Sequence, residues 1–200
     1  DAFILAVNAA VPAQTVQELI ALGRKPGSKL AYGSPGIGNT IHLAGALFAA
    51  RAKTNMVHVP YKGGGPAVAA LLGGEIQAMF ANTNLALPHI KAGRLRALGV
   101  TAAARTALFP EIPTIAEGGV AGYSAAGWNG LFLPRAAPRE LVMRVNTTLK
   151  ESLASPRLKD VLVNAGADAA GGSPEEFTRF FQNEIVKWGN VVKAAGITGG

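Results

Sequence analysis

The sequence predicts an α/β fold with a mixed or mostly parallel sheet, and three observations carry that prediction. Strand-like and helix-like segments alternate over the first hundred residues. Within that alternation one unit, a strand followed by a glycine-rich loop and a helix, occurs twice, around residues 33–40 and 61–66. With 49% hydrophobic and 16% charged residues over 200 positions, the chain has material for a sizeable core and lies well outside the disordered range.

Taken in order, Phe3 to Val7 (FILAV) reads as a strand. Thr15 with Glu18 makes a capping box for a helix to about Arg24, which KPGSK ends. LAY leads into the first glycine loop, and Thr40 to about Lys53 is a helix with Ile41, Ala44, Leu47 and Phe48 on one face. NMVHVPY (residues 55–61) alternates as a strand, KGGG turns the chain, and Pro66 suits the first position of a helix that stops at Gly73 and Gly74. IQAMF is the next strand, ANTN its exit loop, Leu85 to Lys91 a short helix ended by Gly93, and LRALGVT another buried strand. Residues 108–122, rich in proline and glycine, are expected to cross the surface as a connection between lobes. WNGLFLP then reads as a strand. Three helices close the chain: about Arg139 to Ala154, one starting at Arg157 after Pro156, and one from Ser173, where Pro174 takes the first position and Glu176 completes a capping box.

Composition narrows the function classes. No apolar run approaches the ~20 residues of a membrane-spanning helix. Cysteine is absent, which removes disulfides and thiolate metal sites. The three histidines, His42, His58 and His89, match no metal-ligand spacing and no carboxylate cluster accompanies them. The net charge is +7, and between residues 19 and 110 ten basic residues face a single acid, Glu75, so this region should attract anions. The charges are scattered and not interleaved with aromatic residues, which argues against nucleic acid. No serine elbow or acid-base pair is visible, so no catalytic residue is assigned.

GSPGIGNT (residues 33–40) fits the phosphate-loop pattern at every position but one, with Asn39 where the lysine belongs. No later strand supplies a magnesium-binding aspartate, since IQAMFAN ends in Ala81 and Asn82. Two readings remain for the loop. Its free N–H groups at the positive end of a helix, with Ser34, Asn39 and Thr40 as side-chain donors, suit a carboxylate as well as a phosphate; alternatively its glycines make only a tight turn with Thr40 as N-cap. The second loop, HVPYKGGGP, brings Tyr61 and Lys62 beside further free donors, and two such loops on one sheet edge would form a convergent anion site. Lys62 otherwise reads as a solvated lysine, His42 as a packed, hydrogen-bonded histidine or one that reaches the ligand, and Trp128 as either core or the wall of a ligand site.

Five blocks, YGSPGIGNTIHLAGALF, MVHVPYKGGGPAVAALLGGEIQAMF, ALPHIKAGRLRALGVT, FPEIPTIAEGG and WNGLFLP, together resemble the Bug family, the extracytoplasmic solute receptors of tripartite tricarboxylate transporters. The resemblance covers nearly the whole chain. It implies a periplasmic-binding-protein-like (Venus flytrap) two-lobe α/β fold that grips a small carboxylate between lobes, without catalysis or cofactor, and hands it to membrane transporter subunits in the periplasm. Carried onto this chain, the ligand-binding residues are Ser34, Gly36, Gly38, Asn39, Thr40, Tyr61, Lys62 and Asn82. Ala81 stands where the family often has an aspartate, which favours a plain carboxylate over an amino acid.

Family members carry a longer stretch before the position corresponding to Asp1, including a Pro-Gly-Gly ligand loop. The expectation is therefore one complete lobe plus part of a second: residues 1–10 a crossing strand from lobe one, 11–122 the ligand-binding lobe two, and 123–200 the return crossing and C-terminal helices of lobe one. Helices after Arg139 left without their strands would expose apolar faces and promote either self-association or pairing with a partner. The competing expectations are a structural remnant without ligand and an enzyme acting on a phosphorylated or carboxylated metabolite.

Overall fold

The computed structural model describes residues 1–106 and 108–197. The elements are β1 (Phe3–Asn8), α1 (Val16–Arg24), β2 (Ala31–Ser34), α2 (Thr40–Ala52), β3 (Val57–Pro60), α3 (Gly64–Gly73), β4 (Ala78–Asn82), α4 (Thr83–Lys91), β5 (Leu95–Val100), α5 (Arg139–Ala154), α6 (Pro156–Asn164) and α7 (Pro174–Ala194). They form the α/β fold that the alternation predicts.

The sheet has the order β3-β2-β4-β1-β5. β2 runs parallel to β3 and β4, whereas β1 lies antiparallel between β4 and β5. Its side chains show why it sits inside: Ile4, Leu5, Ala6 and Val7 are all fully buried, the apolar run of a strand covered on both faces. β2 to β5 consequently all end at the edge where β1 begins. α2 packs on β2, β3 and β4 through its apolar face, with Ile41, Ala44, Leu47 and Phe48 buried as the periodicity predicts.

The helix boundaries follow their caps. Thr15 accepts the Glu18 N–H, but the Glu18 carboxylate takes the Gln14 N–H, so the predicted box closes one residue early. Ser173 and Glu176 form the full capping box. Asn39, not Thr40, is the N-cap of α2, because its Oδ1 accepts from the Ile41 and His42 amides at 2.7 and 3.4 Å. α3 begins two residues earlier than expected, at Gly64, which leaves Pro66 in the third position, where a missing N–H is still harmless. ANTN is not an exit loop: β4 runs through Asn82 and α4 starts at Thr83.

Two further expectations are overturned. Residues 108–122 do not cross the surface; Thr114 bridges Val100, and Phe109, Ile112, Ile115 and Val120 are buried beside β5. WNGLFLP is not a strand. Just before it the Gly127 amide bonds the Asp1 carbonyl, but among the described residues WNGLFLP pairs with no strand, and an isolated extended segment gains no ladder. Leu131 and Phe132 are about 60% exposed accordingly (62% and 60%).

Beyond residue 130 the packing thins. α5 and α6 contain no buried residue, and α7 buries only Glu184 and Val191, meeting α2. Trp128 is met edge-on by Phe177, Phe180 and Phe181 at 5.5–5.8 Å, which joins α7 to the stretch before α5. No helix among the described residues is long and apolar enough to cross a membrane.

α2 approaches β2 closely at one point. A Cβ on Gly45 would overlap the Tyr32 ring. Gly45→Ala is therefore expected to lose about 1–3 kcal/mol in urea denaturation despite alanine's better helix propensity; a variant as stable as the parent would show that the ring can move aside.

Candidate functional site

The shared edge at which β2, β3 and β4 end is the natural place for a ligand in an α/β sheet. Three helices, α2, α3 and α4, start there, with Asn39, Gly63 and Asn82 at their N-cap positions. The two glycine loops converge as the sequence predicts. The Tyr61 amide donates to the Ser34 carbonyl at 2.9 Å and the Gly63 amide to the Pro35 carbonyl at 3.2 Å, tying one loop to the other.

Hydrogen bonding sorts the donors of the first loop into inward and outward sets. The Gly36 amide bonds Ser34 Oγ at 3.2 Å, and the Gly38 amide bonds His42 Nδ1 at 3.0 Å. The Ile41 and His42 amides belong to the Asn39 cap. The amides of Ile37, Asn39 and Thr40 take no protein acceptor among the described residues, and neither do those of Lys62, Gly64 and Gly65 in the second loop. Gly38 holds φ +74°, a left-handed conformation that glycine adopts without strain, just before the Asn39 and Thr40 amides that lack a protein acceptor among the described residues.

Beneath the loop is a cluster that sequence reasoning missed. The rings of His42 and His58 stack at 3.6 Å with 10° between their planes. His58 Nε2 lies 2.7 Å from Ser34 Oγ, whose hydroxyl donates to the Gly36 carbonyl at 2.9 Å. Tyr32 packs against both rings and points its hydroxyl at the His42 carbonyl. Burial pushes His42 below the usual imidazole range; burial first, and His42 second, lower His58 to about 4. Both rings are neutral at pH 7. The only signal in the sequence was polar residues at Ser34, His42 and His58, in an otherwise apolar context, too far apart to suggest contact.

The predicted residues divide accordingly. Ser34 is fully buried and serves the loop from below, and the Gly36 and Gly38 amides also point inward. Asn39 spends its carboxamide oxygen on the helix cap. Thr40 and Lys62 are exposed, and Tyr61 lies partly buried over Gly33. Asn82 is exposed at the end of β4, with a side chain that makes no cap bond. Ala81 is fully buried within β4.

Thr40 also lines a cleft of about 460 Å³ together with Phe3, Leu43, Trp128, Asn129 and Trp188. The Trp128 side chain is partly buried, not core: it packs on the α7 phenylalanines and lines this cleft. The basic residues are spent differently from the simple expectation of an anion-attracting region. Arg24, Arg51 and Arg96 donate to backbone carbonyls of Ala52, Ala121, and Ala9, Val11 and Ala13, respectively, and Arg105 pairs with Glu117. No cluster of three or more His, Asp or Glu side chains arranged to hold a metal occurs among the described residues.

The Asn39 cap is the joint between loop and helix. Asn39→Ala is expected to cost about 1 kcal/mol, and up to about 2, in denaturant unfolding; no loss would mean that Thr40 can take over the cap.

The chain matches, over residues 1–197, the family model described as the tripartite tricarboxylate transporter family receptor. It is 37% identical over 190 residues to a UPF0065 protein of the tcbD-tcbE intergenic region of Pseudomonas sp. strain P51, covering 94% of this chain and 56% of that protein. It is 31% identical to BugT of Bordetella pertussis, covering 96% and 59%. An R. palustris protein solved with adipate superposes with a TM-score of 0.84 at 36% identity, over 98% of this chain and 66% of the other. This chain thus spans somewhat more than half the length of these two curated relatives. A match that runs through both glycine loops and on through the C-terminal helices leaves one conclusion: the chain belongs to the tripartite tricarboxylate transporter receptor family.

Proposed function

We propose that this chain carries the ligand-holding part of a periplasmic solute receptor that binds a small organic carboxylate and delivers it to the membrane subunits of a tripartite tricarboxylate-type transporter. The observation that carries this reading is the outward set of amides on two tied loops at one sheet edge, at the positive ends of α2 and α3. In this reading the Asn39 and Thr40 amides and the Thr40 hydroxyl receive the carboxylate, Tyr61, Lys62 and Asn82 flank it, and Ser34, Gly36 and Gly38 shape the loop. The division into residues 1–10, 11–122 and 123–200 as crossing strand, lobe two and remainder of lobe one is part of the same proposal. The adipate bound to the R. palustris relative supports a dicarboxylate class, and membership of a receptor family supports binding without turnover.

A second reading is favoured by the apolar surface of the C-terminal part. Phe132, Val161, Ile185 and Val186 are more than half exposed (60%, 56%, 57% and 63%) on elements with little of their own core. Self-association of this chain through that surface would cover them.

Thermal unfolding against mono-, di- and tricarboxylates tests the first reading. A dicarboxylate should raise the midpoint of the parent, and Asn39→Asp, which keeps the cap but adds a negative charge to the cradle, should abolish the shift. Equal shifts in both proteins would put the ligand elsewhere. For the second reading, light scattering at high protein concentration should give a dimer or larger species; a clean monomer would sink it.

A further inference from the structure

The stacked imidazoles beneath the first loop go beyond what anion binding requires. We infer that His42 and His58 are positioning residues for the anion loop and that their protonation releases it, so that the site is closed-packed near neutral pH and loosened in acid. The binding arm of this inference rests on the receptor reading; the loop arm stands on the geometry alone.

Each ring holds a different part of the loop. His42 Nδ1 accepts the Gly38 N–H at 3.0 Å, so a neutral His42 carries its proton on Nε2. Protonation at Nδ1 would turn that acceptor into a donor aimed at another donor. The Ser34 hydroxyl proton is committed to the Gly36 carbonyl, so His58 Nε2–H is the donor to Ser34 Oγ. Protonating His58 keeps that bond but sets a cation face to face with His42 at 3.6 Å. The two protons therefore act on the same segment in turn: one on His42 breaks the Gly38 tie, and a second on His58 then sets two cationic rings face to face.

The surroundings offer no compensation. β2 contributes Tyr32, at 5.1 Å from the His58 ring and 6.4 Å from that of His42, with its phenol raised far above its ordinary range by burial. β4 contributes Phe80, edge-on to Tyr32. Among the described residues no carboxylate pairs with either imidazole, and the charge that acts on His58 is that of His42.

The sign follows from the lowered values. In the closed loop His58 titrates near 4, and in an opened loop near the ordinary imidazole value of about 6.5. Stability of the closed loop is full above about 6.5, declines as pH falls from there towards 4, and loses nothing more from this group below 4. For a half-exposed ring the shift in the opening equilibrium at about pH 5 is on the order of tenfold.

The test compares the parent with a double variant, His42→Asn with His58→Gln. Asparagine keeps an acceptor near the Nδ1 position and glutamine a donor near Nε2, but neither titrates. Two quantities are read by NMR at about pH 7.5 and about pH 5, the protection factor of the Gly38 amide and the Kd for adipate. In the parent, protection should fall about tenfold in acid and adipate affinity should weaken in parallel, while the double variant stays flat in both. His58→Leu should weaken protection at both pH values. Parent protection that does not change with pH, or a double variant that follows the parent, overturns the inference. If adipate fails to bind even at the higher pH, the receptor reading loses its support for this chain, while the Gly38 protection still decides the role of the histidines.

Discussion

The contact on which the rest of this molecule depends is between a ring and a missing side chain. The Tyr32 ring of β2 packs against α2 only because Gly45 offers no Cβ. The ring then fixes three things at once: it meets Phe80 of β4 edge-on at 6.2 Å, lies against His58 of β3, and brings its hydroxyl to the first turn of α2. Tyr123, wholly buried, adds a second tie from residues beyond the sheet to the same helix through the Ala44 carbonyl at 3.0 Å. The start of α2 is thereby held at the sheet edge by packing that involves none of the loop residues themselves.

That separation explains the electrostatic character of the edge. The outward groups are amides, a hydroxyl and a carboxamide, with Lys62 the nearby cation in the second loop. Most of the arginines of this region have their guanidinium groups on backbone carbonyls or on Glu117, where they serve the ends of helices and loops. In the proposed reading, a cradle built from dipoles instead of full charges would hold an anion without a large desolvation penalty on the protein side, and its attraction would be less sensitive to salt than that of a cluster of lysines.

Much of this was legible in the sequence because it was local. Alternation placed β1 to β5, a helical periodicity gave the buried face of α2, and two glycine runs marked the loops that meet. What was not legible depended on partners distant in the chain. Asn39 and Thr40 are both good N-caps, and only the position of the Ile41 and His42 amides selects Asn39. WNGLFLP has the composition of a strand, yet a strand exists only with a neighbour, and composition cannot say whether one is present. Residues 108–122 read as a surface connection from their prolines and glycines, while their four buried apolar residues lie alongside β5. The imidazole stack escaped notice because its two halves lie on different elements, and each histidine alone had an ordinary explanation.

The antiparallel β1 in the middle of the sheet has a consequence for how the chain reaches this structure. It is the first strand in the sequence but pairs with the fourth and fifth, and the Phe3 amide bonds a threonine hydroxyl 98 positions away. Local strand-helix units can form early around β2 and β3, but the most buried strand cannot be fixed until Leu95 to Thr101 have arrived. The loop-closure entropy for that pairing is met late, so the transition state for folding should require β5, and a nascent chain shorter than this should leave its apolar β1 exposed.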